Sequence, residues 1–204
     1  MSLVDNYGWS SSDAEHSHKY LLPVVLKQLN KYAVEELLDI GTGNGATIPF
    51  WQTNGFKVSA MEPDKTGFEF ANKHSAADVR LLGCGDPIPS AWQSKFSCII
   101  SLEVIEHMFD PKQLADTSRE VLGVGGIAII TTPYHGYIKN LLLAILDKWD
   151  FHHHPNRCGG HIKFWSKKTI SKLFVDNGFE ILEFNGAGRI PYLWKSMVLS
   201  FRKI

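Results

Sequence analysis

Two carboxylates and two imidazoles form the pattern with the clearest chemical potential in this sequence. Glu106 and His107 follow Glu103 by three and four residues, so the three side chains would share one face if the segment were helical. His161 comes later, in the run GGHIKFWS. Together, Glu103, Glu106, His107 and His161 could bind a divalent metal, which would lower the pKa of a bound substrate oxygen.

Two other interpretations of these residues stay open. Without a metal, His107 or His161 could act as a general base. Alternatively, both histidines could be structural, and the site would work by aligning its reactants. Mg²⁺ matches this set of ligands poorly, because it prefers oxygen ligands and water to imidazoles. The candidate catalytic residues are therefore His107, His161 and Glu103.

A glycine-rich stretch from Asp39 to Ala46 carries the second informative pattern. Its glycines allow a tight turn from strand to helix and a close approach by a ligand. Gly41, Gly43 and Ala46 fit the dinucleotide spacing G-x-G-x-x-A, and Glu62 falls where an acidic residue accepts ribose hydroxyls. Asp39, however, would place a carboxylate close to a pyrophosphate, which is unfavourable. S-adenosylmethionine, which brings a ribose, a sulfonium and an ammonium but no phosphate, suits this loop better.

Apolar strands alternate with helical patterns along most of the chain, which predicts βαβ units with right-handed crossovers. A short loop joins the last two strands, which predicts an antiparallel hairpin at the sheet edge. The expected fold class is α/β: a doubly wound, seven-stranded, mostly parallel sheet with an antiparallel C-terminal hairpin and helices on both faces. The predicted strands cover residues 35–40, 56–61, 79–82, 96–102, 127–131, 179–184 and 193–201.

We expect one domain over residues 1–204, with a helical cap at 1–33 and a substrate-side insertion at 134–165. A connection as long as this insertion is usually functional in a compact domain. Apolar residues recur at three- and four-residue steps over 138–149, which predicts an amphipathic helix of about three turns. This helix could be buried against the sheet or a dimer partner, form a substrate lid, or lie on a membrane surface. Its repeating positions are Ile138, Leu141, Leu142, Ile145 and Trp149.

Composition narrows the class of protein. The chain has 204 residues, of which 44% are apolar and 21% charged, which excludes disordered and collagen-like chains. The formal net charge of +0 argues against a protein built mainly to bind nucleic acid, although residues 151–204 hold 9 Lys and Arg against 3 Asp and Glu. The apolar runs are too short to cross a bilayer, and we expect no secretory leader. Three cysteines without a CxxC pair predict a reducing cytoplasm.

Four motifs in order resemble those of class I S-adenosylmethionine-dependent methyltransferases. They are LLDIGTGNG at 37–45, MEPD at 61–64, FSCIISLEVIEH at 96–107 and LGVGGIAIITTP at 122–133. The EVIEH run and the helix that comes first look most like the ubiquinone-biosynthesis O-methyltransferase group. The resemblance implies a Rossmann-like fold, S-adenosylmethionine as the cofactor and S-adenosylhomocysteine as the product.

The resemblance also implies roles for single residues. Glu62 would accept both ribose hydroxyls. Asp86 would accept from the adenine amino group, or else it only forms a turn before Pro87. Tyr20 or His18 on the first helix would cover the cofactor, or else they only pack against the sheet. The implied cofactor-binding residues are Tyr20, Asp39, Gly41, Thr42, Gly43, Gly45, Glu62, Pro63, Asp86, Leu102 and Glu103.

The expected activity is transfer of the S-adenosylmethionine methyl group to a hydroxyl of a small or lipophilic molecule. Resemblance to the quinone-pathway enzymes favours a phenolic oxygen, and a lipophilic acceptor is compatible with peripheral membrane contact through 138–149. Small-RNA 2′-O-methyltransferases have a similar E-x-x-E-H cluster with a distant histidine as their metal site, so an RNA ribose is the rival acceptor, with a more basic surface expected. A domain that binds the cofactor or a partner without turnover is the non-catalytic alternative. The sequence leaves the oligomeric state open.

Overall fold

One sheet determines where every candidate residue lies. The computed structural model describes Trp9, Ser11 and residues 16–157 and 159–204, without the side chain of His74. Part of the predicted 1–33 cap, and Cys158 of the insertion, therefore lie outside the described residues. Within these ranges seven strands form a sheet in the order β3-β2-β1-β4-β5-β7-β6. The strands are β1 (Glu36–Ile40), β2 (Lys57–Glu62), β3 (Asp78–Leu81), β4 (Phe96–Leu102), β5 (Leu122–Pro133), β6 (Phe179–Ala187) and β7 (Ser196–Lys203).

The strand directions confirm the predicted fold class. Strands β1 to β5 run parallel, whereas β7 is antiparallel to both of its neighbours, β5 and β6. Because β7 lies between β5 and β6, β6 forms the sheet edge. The helices are α1 (His18–Lys31), α2 (Ile48–Thr53), α3 (Lys65–His74), α4 (Lys112–Val121), α5 (Tyr137–Ile145), α6 (Trp149–His153) and α7 (Lys167–Asp176).

The sheet has a buried apolar cluster on each face. Val25 and Leu29 of α1 pack in one cluster with Ile100 of β4. Phe174 of α7 packs in the other cluster with Ile99, the neighbouring residue of the same strand. Successive side chains of a strand point to opposite faces, so β4 contributes alternately to the two cores. Both faces of the sheet are therefore covered by helices, as predicted.

Two strands begin three or more residues away from their predicted starts. The fifth strand was expected to begin at Ile127, but α4 ends at Val121 and Leu122 pairs with Phe96 as the first residue of β5. The last strand was expected to begin at Leu193 and begins at Ser196 instead. Leu193 belongs to the preceding turn, where its N–H donates to the carbonyl of Ile190. In both places strand pairing, which a single sequence does not encode locally, decides the boundary.

The insertion holds two short helices where one was predicted. Helix α5 ends at Ile145, and Asp147 then adopts a left-handed backbone with φ of 49°, so Trp149 begins a separate helix, α6. The apolar side of α5 is not buried against the sheet: the side chain of Ile145 is 68% exposed. The buried residue of α5 is Lys139, at 3% exposure. Among the described residues, no helix has the length and apolar character needed to cross a membrane.

Candidate active site

The candidate residues gather along the carboxyl ends of four parallel strands. The strand order reverses between β1 and β4, and open α/β sheets bind ligands in the crevice at such a point. The glycine loop follows β1, Glu62 ends β2 and Glu103 follows β4. The sheet thus brings the predicted cofactor loop and the predicted acidic–histidine cluster to one edge.

The glycine loop lies tightly against its neighbours. Gly41 has φ of 77°, in the left-handed region that favours glycine. A Cβ on Gly41 would lie 2.7 Å from Cγ2 of Val104, so the loop after β1 packs directly on the segment after β4. A Cβ on Gly45 would come equally close to Ala71 of α3. Side chains at these positions would push the loop away from the crevice.

Asp39 is buried beneath this loop. One of its carboxylate oxygens accepts hydrogen bonds from the hydroxyls of Thr42 and Thr47, at 3.0 and 2.9 Å. Burial raises the pKa of the Asp39 carboxyl to about 6, and the two hydroxyl donors oppose this shift. In this structure Thr42, a predicted cofactor-binding residue, orients Asp39.

Glu62 lies at the end of β2, beside the glycine loop. Its two oxygens accept the backbone N–H groups of Gly43 and Asp64, at 2.7 and 2.9 Å. Burial raises the pKa of the Glu62 carboxyl to about 7. Each oxygen keeps a further lone pair, so the carboxylate can still accept ribose hydroxyls. Asp64 in turn caps α3 by accepting the N–H of Gly67.

Asp86 and Pro63 lie close together near the end of β3. The Asp86 carboxylate accepts the N–H of Gly83 at 2.7 Å, and a Cβ on Gly83 would lie 3.2 Å from Cβ of Pro63. The observed contact of Asp86 is therefore the turn-forming one that the sequence left as an alternative. Its role toward adenine stays a prediction.

Trp9 and Ser11 contact the glycine loop, which the sequence analysis did not predict. A Cβ on Gly43 would lie 2.5 Å from Cζ2 of Trp9, and one on Gly67 would lie 2.9 Å from Cδ1 of the same indole. The Asn44 side chain donates to the carbonyl of Ser11 at 2.8 Å. The indole of Trp9 thus packs between the glycine loop and the first turn of α3.

Glu106, His107 and His161 converge in one cluster beyond the end of β4. A metal-ligating atom from each lies within 4.8 Å of the others, and the two imidazole centroids are 5.0 Å apart. One oxygen of Glu106 accepts from the hydroxyl of Thr132 at 3.0 Å, while Oε1 is buried without a hydrogen-bond partner. Burial raises the pKa of the Glu106 carboxyl well above its ordinary value, and the charge of Glu103 adds to this effect. Burial also lowers the pKa of both imidazoles, that of His161 to about 4.

Glu103 does not join these three residues. The expected shared helical face is wrong, because Glu103 has a left-handed backbone with φ of 56° and the short 3₁₀ helix begins only at Ile105. The Glu103 carboxylate accepts from the hydroxyls of Thr131 and Ser196, at 2.8 and 3.0 Å. Burial raises the pKa of this carboxyl to about 7. The predicted four-residue cluster is therefore split into a trio and a separate carboxylate.

The end of the insertion is held against the trio by backbone contacts. The N–H groups of Ile162 and Lys163 both donate to the carbonyl of Glu106, at 3.0 and 3.1 Å. The Trp165 indole donates to the carbonyl of Ile105 at 3.4 Å. His161 is thereby placed over the 3₁₀ helix that carries Glu106 and His107.

A second group of imidazoles lies within the insertion. The rings of His135 and His153 stack with centroids 5.5 Å apart, and those of His152 and His153 are 4.8 Å apart. Burial lowers the pKa of His135 to about 3. Lys139 donates to the carbonyl of Tyr134 at 2.8 Å, which ties α5 to the end of β5. Besides burial, the imidazoles of His152 and His153 lie close enough to the trio for their charge to lower the pKa of His161.

Two remaining predicted cofactor residues lie near Glu103. Leu102 is the last residue of β4 and is partly exposed. The Tyr20 hydroxyl lies 3.3 Å from Oγ of Ser196, and its ring contacts Gly188. Tyr20 therefore lies beside the Glu103 side of the crevice.

Sequence reasoning missed the hydroxyls that hold the two glutamates. Thr131 and Thr132 were visible as a pair at the end of a predicted strand, next to the predicted acidic cluster, so their role could have been inferred. Ser196 offered no such signal. Its position depends on the antiparallel register in which Ser196 pairs with Pro133.

Comparisons with known proteins agree with this fold. Residues 14–183 match a family model described as a methyltransferase domain. A ubiquinone biosynthesis O-methyltransferase of Rickettsia canadensis is 25% identical over 170 residues, which cover 82% of this chain and 72% of that relative.

Two solved structures share the fold. A protein from Pyrococcus horikoshii OT3 is 16% identical with a TM-score of 0.71, over 96% of this chain and 95% of its own. Magnesium protoporphyrin IX methyltransferase from Synechocystis PCC 6803, with bound S-adenosylhomocysteine, is 15% identical with a TM-score of 0.66, over 90% and 82% of the two chains. Together with the family match, the fold and the carboxyl-edge crevice confirm the resemblance seen in the motifs. The chain therefore belongs to the methyltransferase-domain family and is an S-adenosylmethionine-dependent methyltransferase.

Proposed function

We propose that this methyltransferase acts on a hydroxyl oxygen of a small or lipophilic, phenol- or quinol-like acceptor and releases S-adenosylhomocysteine. The observation that carries the proposal is the convergence of Glu106, His107 and His161 at the carboxyl edge of the sheet. A hydroxyl must lose its proton when it is methylated, and such a group of residues can take that proton or activate the oxygen. The name of the Rickettsia relative supports the same acceptor class.

We place the cofactor across the ends of β1, β2 and β4. Glu62 accepts the ribose hydroxyls, and Asp39 supplies a negative charge beneath the glycine loop, toward the positively charged methionine end. Burial of both carboxylates supports this placement, because a cation near Asp39 and hydroxyl donors at Glu62 would offset the desolvation that each carboxylate suffers. The remaining residues assigned to the cofactor are Gly41, Thr42, Gly43, Gly45, Pro63, Asp86 and Leu102. Tyr20 and Glu103, which the resemblance also implied for the cofactor, lie at the acceptor side in this proposal.

A divalent metal fits the trio. Oε1 of Glu106 is a buried acceptor without a hydrogen-bond partner, which is an unfavourable state that a cation would relieve. Two imidazoles and one carboxylate are a donor set that suits Zn²⁺ or a similar ion better than Mg²⁺. Held by these three residues, such an ion would supply Lewis acidity that lowers the pKa of an acceptor hydroxyl. The structure supports Glu106, His107 and His161 as the ligands and leaves out Glu103, which the sequence had included.

The transfer step balances without a further reactant. The acceptor oxygen forms a bond to the methyl carbon, the bond from that carbon to sulfur breaks, and the sulfonium becomes a neutral thioether. The proton of the acceptor hydroxyl leaves to His107 or His161 when an imidazole serves as the base. Holding the acceptor oxygen in line with the methyl group and the sulfur supplies the rest of the rate enhancement.

An acceptor screen tests this proposal. The purified protein is incubated with S-adenosylmethionine and, in turn, a catechol, an aliphatic alcohol, a primary amine and a single-stranded RNA oligonucleotide. We expect S-adenosylhomocysteine release and an O-methylated product with the catechol. Methylation of RNA or of the amine alone would overturn the acceptor class. Cofactor binding without turnover of any acceptor would favour the non-catalytic alternative.

Exposed apolar side chains support peripheral contact with a membrane that holds a lipophilic acceptor. Among the described residues, several large ones lie in the insertion and in the turn between β6 and β7, with Lys148 and Lys163 nearby in the sequence. Such a surface suits the interface of an anionic bilayer. A cytoplasmic location is supported by Cys84 and Cys98, which are free thiols. The apolar residues concerned are Tyr137, Ile138, Leu141, Leu142, Ile145, Leu146, Trp149, Phe151, Ile162, Phe164, Ile190 and Tyr192.

A further inference from the structure

We propose that Tyr20 and Ser196 are positioning residues for methyl transfer, which hold the Glu103 carboxylate at the acceptor side through a chain of hydrogen bonds from α1 across β7. The proposal rests on the proposed function, because it assigns Glu103 to the acceptor side of the reaction. It adds Ser196 to the site and gives Tyr20 a role different from the one that the sequence predicted.

The direction of the hydrogen bonds follows from the chemistry of the groups. Ser196 donates its single hydroxyl proton to Oε2 of Glu103 at 3.0 Å. The Ser196 oxygen can then only accept from the Tyr20 hydroxyl, which lies 3.3 Å away. Oε1 of Glu103 is held separately by the hydroxyl of Thr131 at 2.8 Å. Both carboxylate oxygens are therefore fixed, each by a different strand.

The backbone of Glu103 shows that this position needs support. Its φ of 56° lies in the left-handed region, which non-glycine residues adopt at a cost and usually where surrounding contacts impose it. Its N–H donates to Oγ1 of Thr131 at 2.9 Å, and Ser196 and Thr131 are 1% and 0% exposed. The chain of hydrogen bonds that begins at Tyr20 thus fixes the carboxylate of Glu103, a residue whose backbone conformation is unfavourable without such support.

Strand β7 carries a second serine that serves as a matched control. Ser200 is also buried and donates to the side chain of Gln28 on α1 at 2.6 Å. It lies four residues, or about 13 Å, along the strand from Ser196 and on the same face. Both serines thus join β7 to α1, but only the chain through Ser196 reaches a carboxylate at the crevice. A purely structural role would make the two serines equivalent.

Turnover and cofactor affinity of four variants test the proposal with a catechol acceptor. We expect Ser196→Ala to lower kcat about tenfold, because a displaced catalytic group loses its alignment, while the Kd of S-adenosylhomocysteine changes less than about twofold. Tyr20→Phe should lower kcat less, and should add nothing in the Ser196→Ala background, because Tyr20 acts through Ser196. Ser200→Ala should leave kcat unchanged.

Three kinetic results would overturn the proposal. The first is a loss of kcat in Ser200→Ala as large as that in Ser196→Ala. The second is that the effects of Tyr20→Phe and Ser196→Ala on kcat are independent and multiply in the double variant. The third is a loss of cofactor affinity in Ser196→Ala as large as its loss of kcat. The last result would assign Glu103 to the cofactor instead.

A readout without turnover separates this proposal from the proposed function. If the wild-type protein methylates no phenolic acceptor, the proposed acceptor class fails. The side-chain carboxyl carbon resonance of Glu103, observed by NMR in glutamate-labelled protein, still reports on the chain. It should shift in Ser196→Ala, respond to Tyr20→Phe only when Ser196 is present, and stay in place in Ser200→Ala. An unmoved resonance in Ser196→Ala would overturn the inference.

Discussion

At the scale of single residues, both oxygens of Glu62 accept a backbone N–H, one from the glycine loop and one from the turn before α3. These bonds offset part of the desolvation of a buried carboxylate. They also orient its remaining lone pairs, so that ribose hydroxyls can bind without displacing the backbone donors. The geometry of the glycine loop and the proposed binding of the cofactor therefore depend on the same side chain.

We expect Glu62→Ala to weaken S-adenosylhomocysteine binding by at least about tenfold. Two ribose hydroxyls would lose a charged acceptor, and each such hydrogen bond contributes roughly 1.5–3 kcal/mol. Calorimetric titration measures the change in Kd. Glu69→Ala is the matched control, because Glu69 lies on α3 with a 63% exposed side chain. An unchanged affinity in Glu62→Ala would remove this residue from the cofactor site.

The same residue predicts a pH dependence of cofactor binding. Burial raises the pKa of Glu62 to about 7, and the ionised form accepts hydroxyl protons better, so affinity for S-adenosylhomocysteine should rise between about pH 6 and about pH 8. The stability of the free protein has the opposite sign. Between about pH 4.3, the pKa of glutamate in the unfolded chain, and the raised pKa in the folded protein, Glu62 holds an extra proton only in the folded state. The contribution of Glu62 to the free energy of unfolding therefore falls as pH rises through this range. Titrations at several pH values should show a flatter profile in Glu62→Gln; an equal slope would contradict the assignment.

The trio of Glu106, His107 and His161 predicts a metal site that can be tested with Co²⁺ as a spectroscopic probe. Glu106→Gln and His161→Ala should each weaken Co²⁺ binding at least about tenfold, since each removes one of three ligands. Chelation should lower the turnover of the wild-type protein. His154→Ala is the control, because His154 is exposed and lies outside the trio. If Glu106→Gln binds Co²⁺ as well as the wild type, the metal hypothesis fails and an imidazole base remains.

At the scale of secondary structure, the sequence correctly predicted the features that depend on a local pattern of residues. The buried strand β4 was predicted at its observed boundaries, and the glycine loop was placed correctly after β1. Features that depend on strand register or a single backbone angle were not predictable. Leu122 joins β5 through pairing with Phe96, and Asp147 breaks the insertion helix with φ of 49°. The contacts of Glu103 with Thr131 and Ser196 likewise depend on which strands lie side by side.

The exposed side of α5 predicts a surface that binds bilayers. Ile145→Asp should reduce cosedimentation with vesicles of anionic phospholipid about tenfold, since burying a large aliphatic side chain contributes roughly 1.5–3 kcal/mol. The free energy of unfolding should change little, because Ile145 is 68% exposed. Val175→Asp is the control, since Val175 is 46% exposed on α7, away from the insertion. Equal vesicle binding of wild type and Ile145→Asp would contradict this role.

At the scale of the whole molecule, strand β5 holds both glutamates of the proposed acceptor side, Glu103 and Glu106. Thr131 and Thr132 are consecutive in β5 and therefore point to opposite faces of the sheet. Thr131 holds Glu103 on the face covered by α1, and Thr132 holds Glu106 on the face covered by α7. The proposed site is thus supported by the buried apolar clusters on both faces of the sheet. This explains how an N-terminal helix and an insertion late in the chain can serve one reaction.

Cofactor binding should therefore stabilise the molecule as a whole, because the proposed site joins the ends of β1, β2 and β4. At about 100 times its Kd, S-adenosylhomocysteine should add about 2.7 kcal/mol to the free energy of unfolding. For a chain of this size, that corresponds to an increase in Tm of about 5–11 °C, measurable by calorimetry. NAD⁺ at the same concentration should have no effect, because its pyrophosphate would lie beside the buried carboxylate of Asp39. An equal increase in Tm with NAD⁺ would show that the glycine loop binds dinucleotides, and the assignment of Asp39 to a cationic cofactor would be wrong.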